Sequence, residues 1–212
     1  INEGAINAGI APKFSDPYSY GQGTNWQDEV FNNNAPMMNH QVSVSGASEK
    51  VNYLFSLGFY TQDGIVGGNF DRSNYERLTL RSNTQYTLFD ESKERNWLNS
   101  LKVTSNLSYA RIKSTSFDDN STWGTPLGSA LALSPILNVY DETEEAIKAQ
   151  FDKYGTTAEY TPVYDPRNGK LFSIPGEFGE MSNPIAKLSL PGDKHWSHKF
   201  VANFSAELQL WD

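Results

Sequence analysis

The side chains best suited to holding a small molecule are concentrated in the second half of the chain. Seven are aromatic, namely Trp123, Tyr140, Tyr154, Tyr160, Tyr164, Phe172 and Phe178, and beside them stand Asp165, Arg167 and Asn168. Flat aromatic rings that pack on sugar rings, next to carboxylate, amide and guanidinium groups that bond to hydroxyls, are typical of glycan recognition. We select Trp123, Tyr160, Tyr164, Asp165 and Arg167 as ligand-binding candidates. The alternative is that these aromatic rings form a small core of the segment itself.

Other reactive side chains follow no pattern that predicts a metal site or catalysis. His195 and His198 would point to opposite faces of an extended strand. The acidic pairs at 118–119 and 141–142 offer oxygen atoms, but their spacing fits no calcium loop, and solvated loop charges are the alternative. No nucleophile–base signature occurs, and the chain has no cysteine. We therefore assign no metal, no cofactor and no catalytic residue, and expect a protein that is not an enzyme.

Composition excludes several classes of protein. The 212 residues include 17 basic and 25 acidic side chains, which gives a formal charge of −8. No basic stripe is present to neutralise phosphates, so we expect no nucleic-acid partner. No run of about 18 apolar residues predicts a membrane-spanning helix. Aromatic residues make up 13% of the chain although its mean hydropathy is −0.56, a combination that strands with one apolar and one polar face would produce.

Alternation of apolar and polar residues predicts the positions of the strands. Four segments show it clearly, at Val51–Tyr60, Leu78–Tyr86, Trp97–Tyr109 and His198–Leu210, and Gln41–Ser45 shows a shorter version. Successive side chains of a strand point to opposite faces, so these segments read as half-buried antiparallel strands.

Three features favour an outer-membrane β-barrel over a soluble β-sandwich, whose two sheets would press their apolar faces together. Strands of about ten residues, tilted by about 45°, span about 23 Å, close to the apolar band of such barrels. Aromatic residues lie toward strand ends, as an interface girdle requires; they are Tyr60, Tyr75, Trp97, Tyr109, Trp196 and Trp211. The opposite face is polar and suits a wet lumen, with Arg77, Arg81, Lys102, Asn106 and Asn203 among its members.

Connection lengths point to the same fold class and predict its division into segments. The connections alternate between short and long, as periplasmic turns and extracellular loops do in barrels. We expect an all-β antiparallel sheet of about five long strands, forming an arc of a large outer-membrane β-barrel with a long, partly helical extracellular loop. The segments would be a loop region at 1–37, four barrel strands at 38–112, the long loop at 113–195 and a truncated strand at 196–212. Because alternation continues to Leu210 without a turn signal, we expect this to be part of a longer chain.

Two short helices are expected inside the long loop. One lies near 142–154, capped by Asp141 and ended at Gly155. The other runs from about Leu127 to Leu133 and ends before Pro135.

Several stretches of sequence together carry a family resemblance. They are Asn25–Phe31, Ala35–His40, Val42–Gly46, Tyr53–Leu57 and Gln62–Val66, followed by Ser134-Pro135 and Asn183–Ala186. They resemble the SusC/RagA family of TonB-linked outer-membrane transporters of Bacteroidetes-type bacteria. Asn25–Phe70 is the most specific part.

The resemblance implies an active importer in the outer membrane of a Gram-negative cell. It also implies a plug and a TonB-contacting segment, neither of which has a counterpart in this sequence. Oligosaccharides or peptides would be the cargo, and a SusD-like lipoprotein and the TonB complex would be the partners. Five strands are too few to close a barrel of about 22, and we expect Phe55, Leu57, Val103 and Phe204 to face membrane lipid. The alternatives are a soluble carbohydrate-binding β-sandwich and a glycoside hydrolase domain.

Overall fold

The computed structural model describes residues 2–12, 14–70, 73–89, 97–117, 124–141, 143–153, 161–175 and 181–210. The chain divides into two compact units. We call residues 32–117 and 191–212 the sheet unit, and residues 1–31 and 118–190 the helical unit.

The sheet unit is a single antiparallel sheet of five strands. They are β1 (Met37–Ala47), β2 (Val51–Asp63), β3 (Asn74–Phe89), β4 (Leu98–Ser116) and β5 (Asp193–Leu210), and they lie side by side in chain order. Their lengths run from 11 to 19 residues, whereas strands of globular proteins centre on about 5–6. The prediction of an antiparallel sheet of about five long strands is confirmed.

The register gives the sheet two chemically different faces. One row of paired residues crosses all five strands and contains Val42, Leu57, Leu80, Tyr109 and Phe200. Opposite residues in antiparallel strands point to the same side, so this row defines what we call the apolar face. The next row lies on the other side, which we call the polar face, and contains Gln41, Gly58, Thr79, Ala110 and Lys199.

The apolar face is open in the part of the chain that the structure describes. Phe200 is 67% exposed and Phe204 is 71% exposed, and Phe55 and Leu57 are exposed as well. Val103 lies opposite Tyr86 on one neighbouring strand and Ala206 on the other, which places it on the same face. The four residues expected to face lipid therefore share one surface.

Two irregularities in the ladder shift side chains between the faces. The register shifts between Thr87 and Phe89 on β3, and between Leu98 and Ser100 on β4. Strict alternation places Leu98 on the polar face, but the extra residue, Asn99, brings it opposite Leu210 on the apolar face. The bulge therefore explains why Leu98 is apolar although it stands at a polar position of the alternating segment Trp97–Tyr109.

The expected girdle of aromatic residues is only partly correct. Tyr109 and Trp196 do lie on the apolar face, but Tyr60 and Tyr75 lie on the polar face, where their rings meet edge to face at 5.9 Å. Each tyrosine is an odd number of residues away from the apolar-face residues of its own strand, such as Leu57 on β2 and Leu78 on β3. Because side chains alternate along a strand, both point to the opposite face. Trp97 precedes β4, and Trp211 lies outside the described residues.

Strand ends differ from the expected segment boundaries at 112 and 196. β4 continues to Ser116 and β5 begins at Asp193. Residues 111–116 are mostly polar on both faces, so the sequence shows no alternation there although the backbone ladder continues.

The helical unit is built from short helices connected by loops. They are α1 (Asn2–Asn7), a 3₁₀ helix at Pro17–Tyr20, α2 (Trp26–Val30), α3 (Pro126–Ala132), α4 (Glu144–Lys153) and α5 (Pro184–Ser189). Region 1–37, expected to be loop, therefore contains three helical segments. Helix α4 begins where it was expected, but Thr143 caps it instead of Asp141, because the Thr143 Oγ1 accepts a hydrogen bond from Ala146 N at 3.1 Å.

Helices α2, α3 and α5 pack together around a small apolar core. Trp26 is 3% exposed, and its indole Nε1 donates to the carbonyl of Ser134 at 3.0 Å. Ile185 and Leu188 of α5 are also buried. Asn183 caps α5 by accepting from the backbone N–H groups of residues 185 and 186. Several of the stretches that carry the family resemblance are therefore packing and capping residues.

Gly23 is a sensitive position in this packing. Its φ is +74°, and a Cβ added there would lie 2.5 Å from the carbonyl oxygen of Pro135. Gly9 has a similar φ of +72° but has nothing within 4 Å of an added Cβ, so it provides a matched control.

We expect Gly9→Ala to lower the free energy of unfolding of the helical unit by about 1 kcal/mol, the cost of a left-handed backbone for an L side chain. Gly23→Ala should cost about 1–3 kcal/mol more because of the added steric overlap. Urea unfolding followed by fluorescence, in a chain that keeps Trp26 and has phenylalanine at the other four tryptophan positions, measures both. Equal losses for the two variants would contradict this account of Gly23.

Candidate ligand-binding site

Three short extended segments of the helical unit meet through backbone hydrogen bonds. Tyr140 pairs with Phe172, and Tyr164 pairs with Leu171, in isolated antiparallel bridges. The backbone N–H of Asp141 also donates to the carbonyl of Leu171 at 3.0 Å. These bonds fix the segments near 140, 164 and 171 beside one another.

A tight turn from Asp165 to Lys170 connects two of these segments. The Asp165 N–H donates to the Lys170 carbonyl at 2.8 Å, and the Gly169 N–H donates back to the Asp165 carbonyl at 2.8 Å. Gly169 has a φ of +71°, a conformation that glycine adopts without strain. The Arg167 N–H donates to the Asp165 carboxylate at 2.8 Å, a local bond that favours aspartate at the start of a turn.

The Asp165 carboxylate is fully buried and is held by two side chains. Arg167 donates to it from Nη2 at 2.7 Å and from Nε at 3.0 Å, and the Tyr140 hydroxyl donates to it at 2.6 Å. The hydrogen bonds from Arg167 lower the pKa of Asp165 from 3.8 to about 2, against the opposing effect of burial. A buried carboxylate that accepts this many hydrogen bonds keeps its negative charge at neutral pH.

Tyr140 is the central side chain of the cluster. Burial, followed by its hydrogen bond to Asp165, raises the pKa of the phenol, which therefore stays a proton donor at neutral pH. Its ring stacks on Phe172 with centroids 5.3 Å apart, and the Lys170 ammonium lies 5.4 Å from its centroid. Asn168 Nδ2 donates to the Tyr140 hydroxyl at 3.2 Å.

An open groove of about 680 Å³ lies beside this cluster. Tyr164, which is 45% exposed, presents an aromatic surface to it, and Asp141, Glu144 and Lys170 supply charged groups. The remaining lining residues are Asn138, Val139, Tyr140, Gly169 and Leu171. Aromatic surface beside hydrogen-bonding groups of both charges is suited to a polar organic ligand rich in hydroxyl or amide groups.

The residues selected from sequence have different positions in this arrangement. Tyr164 lines the groove, whereas Asp165 and Arg167 hold the turn that forms its wall. Trp123 and Tyr160 lie outside the described residues. The role of all five in binding stays a prediction.

Sequence reasoning missed Glu144 and Lys170. The Asn168-Gly169 pair is a turn signal that could have placed Lys170 back beside Asp165. Nothing in the sequence brings Glu144 to the same groove.

The described residues contain no group of three or more His, Asp or Glu side chains arranged to hold a metal ion. His198 lies on the apolar face, where its Nδ1 is 2.8 Å from the Tyr109 hydroxyl, and His195 lies on the polar face. Within the same residues, no helix has the length and apolar character needed to span a membrane.

Comparison with known proteins gives the family. No protein-family model matches the chain. The TonB-dependent receptor P26 of Formosa agariphila is 32% identical over 204 residues, which cover 96% of this chain. The TonB-dependent receptor SusC of Bacteroides thetaiotaomicron is 29% identical over 193 residues, which cover 88% of it. This chain is a portion of a SusC-like TonB-dependent receptor.

The portion is small compared with its relatives. The match covers 16% of the length of SusC and 16% of P26. The TonB-dependent receptor P3 of Formosa agariphila is 30% identical over 130 residues, which cover 60% of this chain and 12% of that receptor. The family membership predicted from Asn25–Phe70 and the later stretches is confirmed.

The buried carboxylate of this receptor segment predicts a pH-dependent stability. The pKa of Asp165 is lower in the folded state, so its contribution is complete above pH 4 and is lost as the pH falls through about 2. We expect Asp165→Asn to lower the free energy of unfolding of the helical unit at pH 7 by about 1–2 kcal/mol, less than the full shift because Arg167 is 39% exposed.

Urea unfolding at pH 7, 4 and 2 tests this expectation. The variant should lose less stability between pH 4 and pH 2 than the wild type. Glu145→Gln, at an exposed position in the first turn of α4, is the charge-matched control and should change stability by less than about 1 kcal/mol at every pH. If Asp165→Asn behaves like Glu145→Gln, the network does not stabilise the unit.

Proposed function

We propose that this chain forms part of the wall and the ligand-capturing outer region of a TonB-dependent importer in the outer membrane of a Gram-negative cell. The observation that carries the proposal is the open apolar face of the sheet, which extends over five strands of 11 to 19 residues. Exposed apolar surface of this extent is unfavourable in water and favourable against lipid. Similarity to TonB-dependent receptors supports the same assignment.

The polar face would line the interior of the barrel. Arg77 and Arg81 lie on it, and the Arg77 guanidinium is 5.6 Å from the Tyr60 ring centroid. Lys102, Asn106 and Asn203 also face this side. Side chains of this kind suit a wet lumen or contact with a plug.

The alternative of a soluble β-sandwich needs a second sheet to cover the apolar face. The described residues form one sheet of five strands, and the helical unit contributes only isolated bridges. The observations therefore favour a barrel wall.

The activity we propose is transport without chemistry of its own. A plug opened through the TonB complex would control passage, and a SusD-like lipoprotein would cover the extracellular loops. The relatives are receptors by name. Together with the lack of a catalytic signature in the sequence, this supports a protein that is not an enzyme.

The ligand we propose is an oligosaccharide, with a peptide as the second choice. Tyr164 would stack on a sugar ring, while Glu144 and Lys170 would bond to its hydroxyls. Asp165 and Arg167 would keep the wall of the groove in place. Trp123 and Tyr160 complete the proposed set.

The groove is tested by titrating the detergent-solubilised complete receptor with a panel of oligosaccharides and peptides in a calorimeter. Tyr164→Ala removes one stacking ring and should lower the affinity for the ligand that binds the wild type by about three- to tenfold. Tyr18→Ala is the control, because Tyr18, in the 3₁₀ helix, is 92% exposed and is not among the residues that line the groove. Equal affinities for both variants would contradict a role for the groove.

The orientation of the sheet is tested by a pair of adjacent substitutions. Phe204→Lys puts a charge on the apolar face and should destabilise the barrel by about 2–4 kcal/mol if the position is near the bilayer midplane. Asn203→Lys places the same charge on the polar face and should have little effect. The readout is the fraction of receptor that needs detergent for extraction and changes gel mobility on heating. Equal tolerance of both charges would rule out a lipid-facing apolar face.

A further inference from the structure

Basic side chains are concentrated at one end of the apolar face. What we call the basic cluster consists of Arg111, Lys113 and Lys194 together with Trp196. Lys113 lies opposite Trp196, and Lys194 lies opposite Thr115, in the rows that follow Tyr109 and Phe200 along the strands. The chain as a whole is acidic, with a formal charge of −8, so this grouping runs against its general charge.

The contacts place these groups on one surface. The Arg111 guanidinium is 5.0 Å and the Lys113 ammonium 5.7 Å from the centroid of the Trp196 ring. Cations at this distance are attracted to the ring. Trp196 therefore connects two neighbouring strands and holds both cations close to each other.

The cluster keeps an excess of positive charge. Glu76 forms a salt bridge with Lys113 at 3.7 Å. Within the described residues, Arg111 and Lys194 have no carboxylate partner. Asp63 lies on the same face, but at the usual strand spacing β2 is about 10 Å from β4, which carries Arg111 and Lys113, and about 14 Å from β5. Counted over the described residues, three cations face one carboxylate, which leaves about two positive charges for an external anion.

The position along the strand fits the edge of a membrane. The apolar side chains of β4 on this face run from Leu98, opposite Leu210, to Tyr109, opposite Phe200. Ten residues of a tilted strand rise by about 23 Å, close to the apolar band of about 25 Å. Arg111 is the next residue on this face. The same end of the sheet carries the long connections, between β2 and β3 and between β4 and β5, and long connections lie outside the cell in such barrels.

We propose that the basic cluster binds the phosphate of an outer-leaflet lipid headgroup. The inference rests on the proposed function, because it needs the apolar face to meet lipid. Hydrocarbon chains would cover the apolar face below Tyr109 and Phe200. Arg111, Lys113 and Lys194 would donate to the phosphate oxygens, and Trp196 would lie at headgroup depth, as interfacial tryptophans do.

The test uses the complete receptor in mixed micelles that contain either phosphatidic acid or diacylglycerol, which differ by the phosphate alone. Native mass spectrometry measures the lipid that stays bound. The wild type should retain phosphatidic acid at least about tenfold better than the combined variant Arg111→Gln/Lys113→Gln/Lys194→Gln. The matched control, Arg81→Gln/Lys102→Gln/Lys199→Gln, removes the same charge from the polar face and should retain the lipid as the wild type does.

Three results would overturn the inference. The first is equal retention by the wild type and the cluster variant, and the second is equal retention of phosphatidic acid and diacylglycerol. The third is displacement of the lipid by millimolar inorganic phosphate alone, which would point to a site for the free anion. Heat-dependent gel mobility reports whether the receptor is a barrel, so it separates a failure of the lipid site from a failure of the proposed function. If the wild type is a barrel and lipid retention is unaffected, only the lipid site fails; if the wild type dissolves without detergent, the proposed function fails too.

Discussion

Register is the constraint on which the sheet unit depends. The four strand pairings are aligned so that one row across the sheet carries an apolar side chain on every strand. That row is Val42, Leu57, Leu80, Tyr109 and Phe200. A slip of one residue in any pairing would move a whole strand's apolar side chains to the polar face. Strands this long, with both faces open in the described residues, draw little stability from a shared core. Their ladder and their surroundings must supply it.

The helical unit uses a different principle, in which a few buried polar groups fix the positions of loops. Asp165 joins the backbone of its own turn to Arg167 and Tyr140. Asn183 similarly caps α5 while its Nδ2 donates to the carbonyl oxygens of Val139 and Ser173. Such groups have few other ways to satisfy their hydrogen bonds, so they specify one arrangement of the loops. The shape of the groove follows from these bonds more than from apolar packing.

Alternation predicts the strands well because a period of two is a strong and simple signal. It fails where another rule overrides the period. The bulge moves Leu98 to the apolar face, and the polar residues after Ala110 hide the end of β4. The site was harder to predict, because the turn returns Lys170 to the groove and α4 brings Glu144 from elsewhere in the chain. A single sequence does not show which residues that are distant along the chain lie close together in the fold.

The helical unit is assembled from parts that are far apart in the chain. Thr24 bonds to the carbonyl of a residue 113 positions away, and Trp26 to one 108 positions away. Helices α2, α3 and α5 have only five to seven residues each, too few to persist on their own. They gain stability only after the intervening chain has closed a long loop, which is entropically costly and slow. The rate of folding of this unit should therefore depend on when its distant halves meet, and a nascent chain that ends before α5 would leave the Trp26 core unfinished.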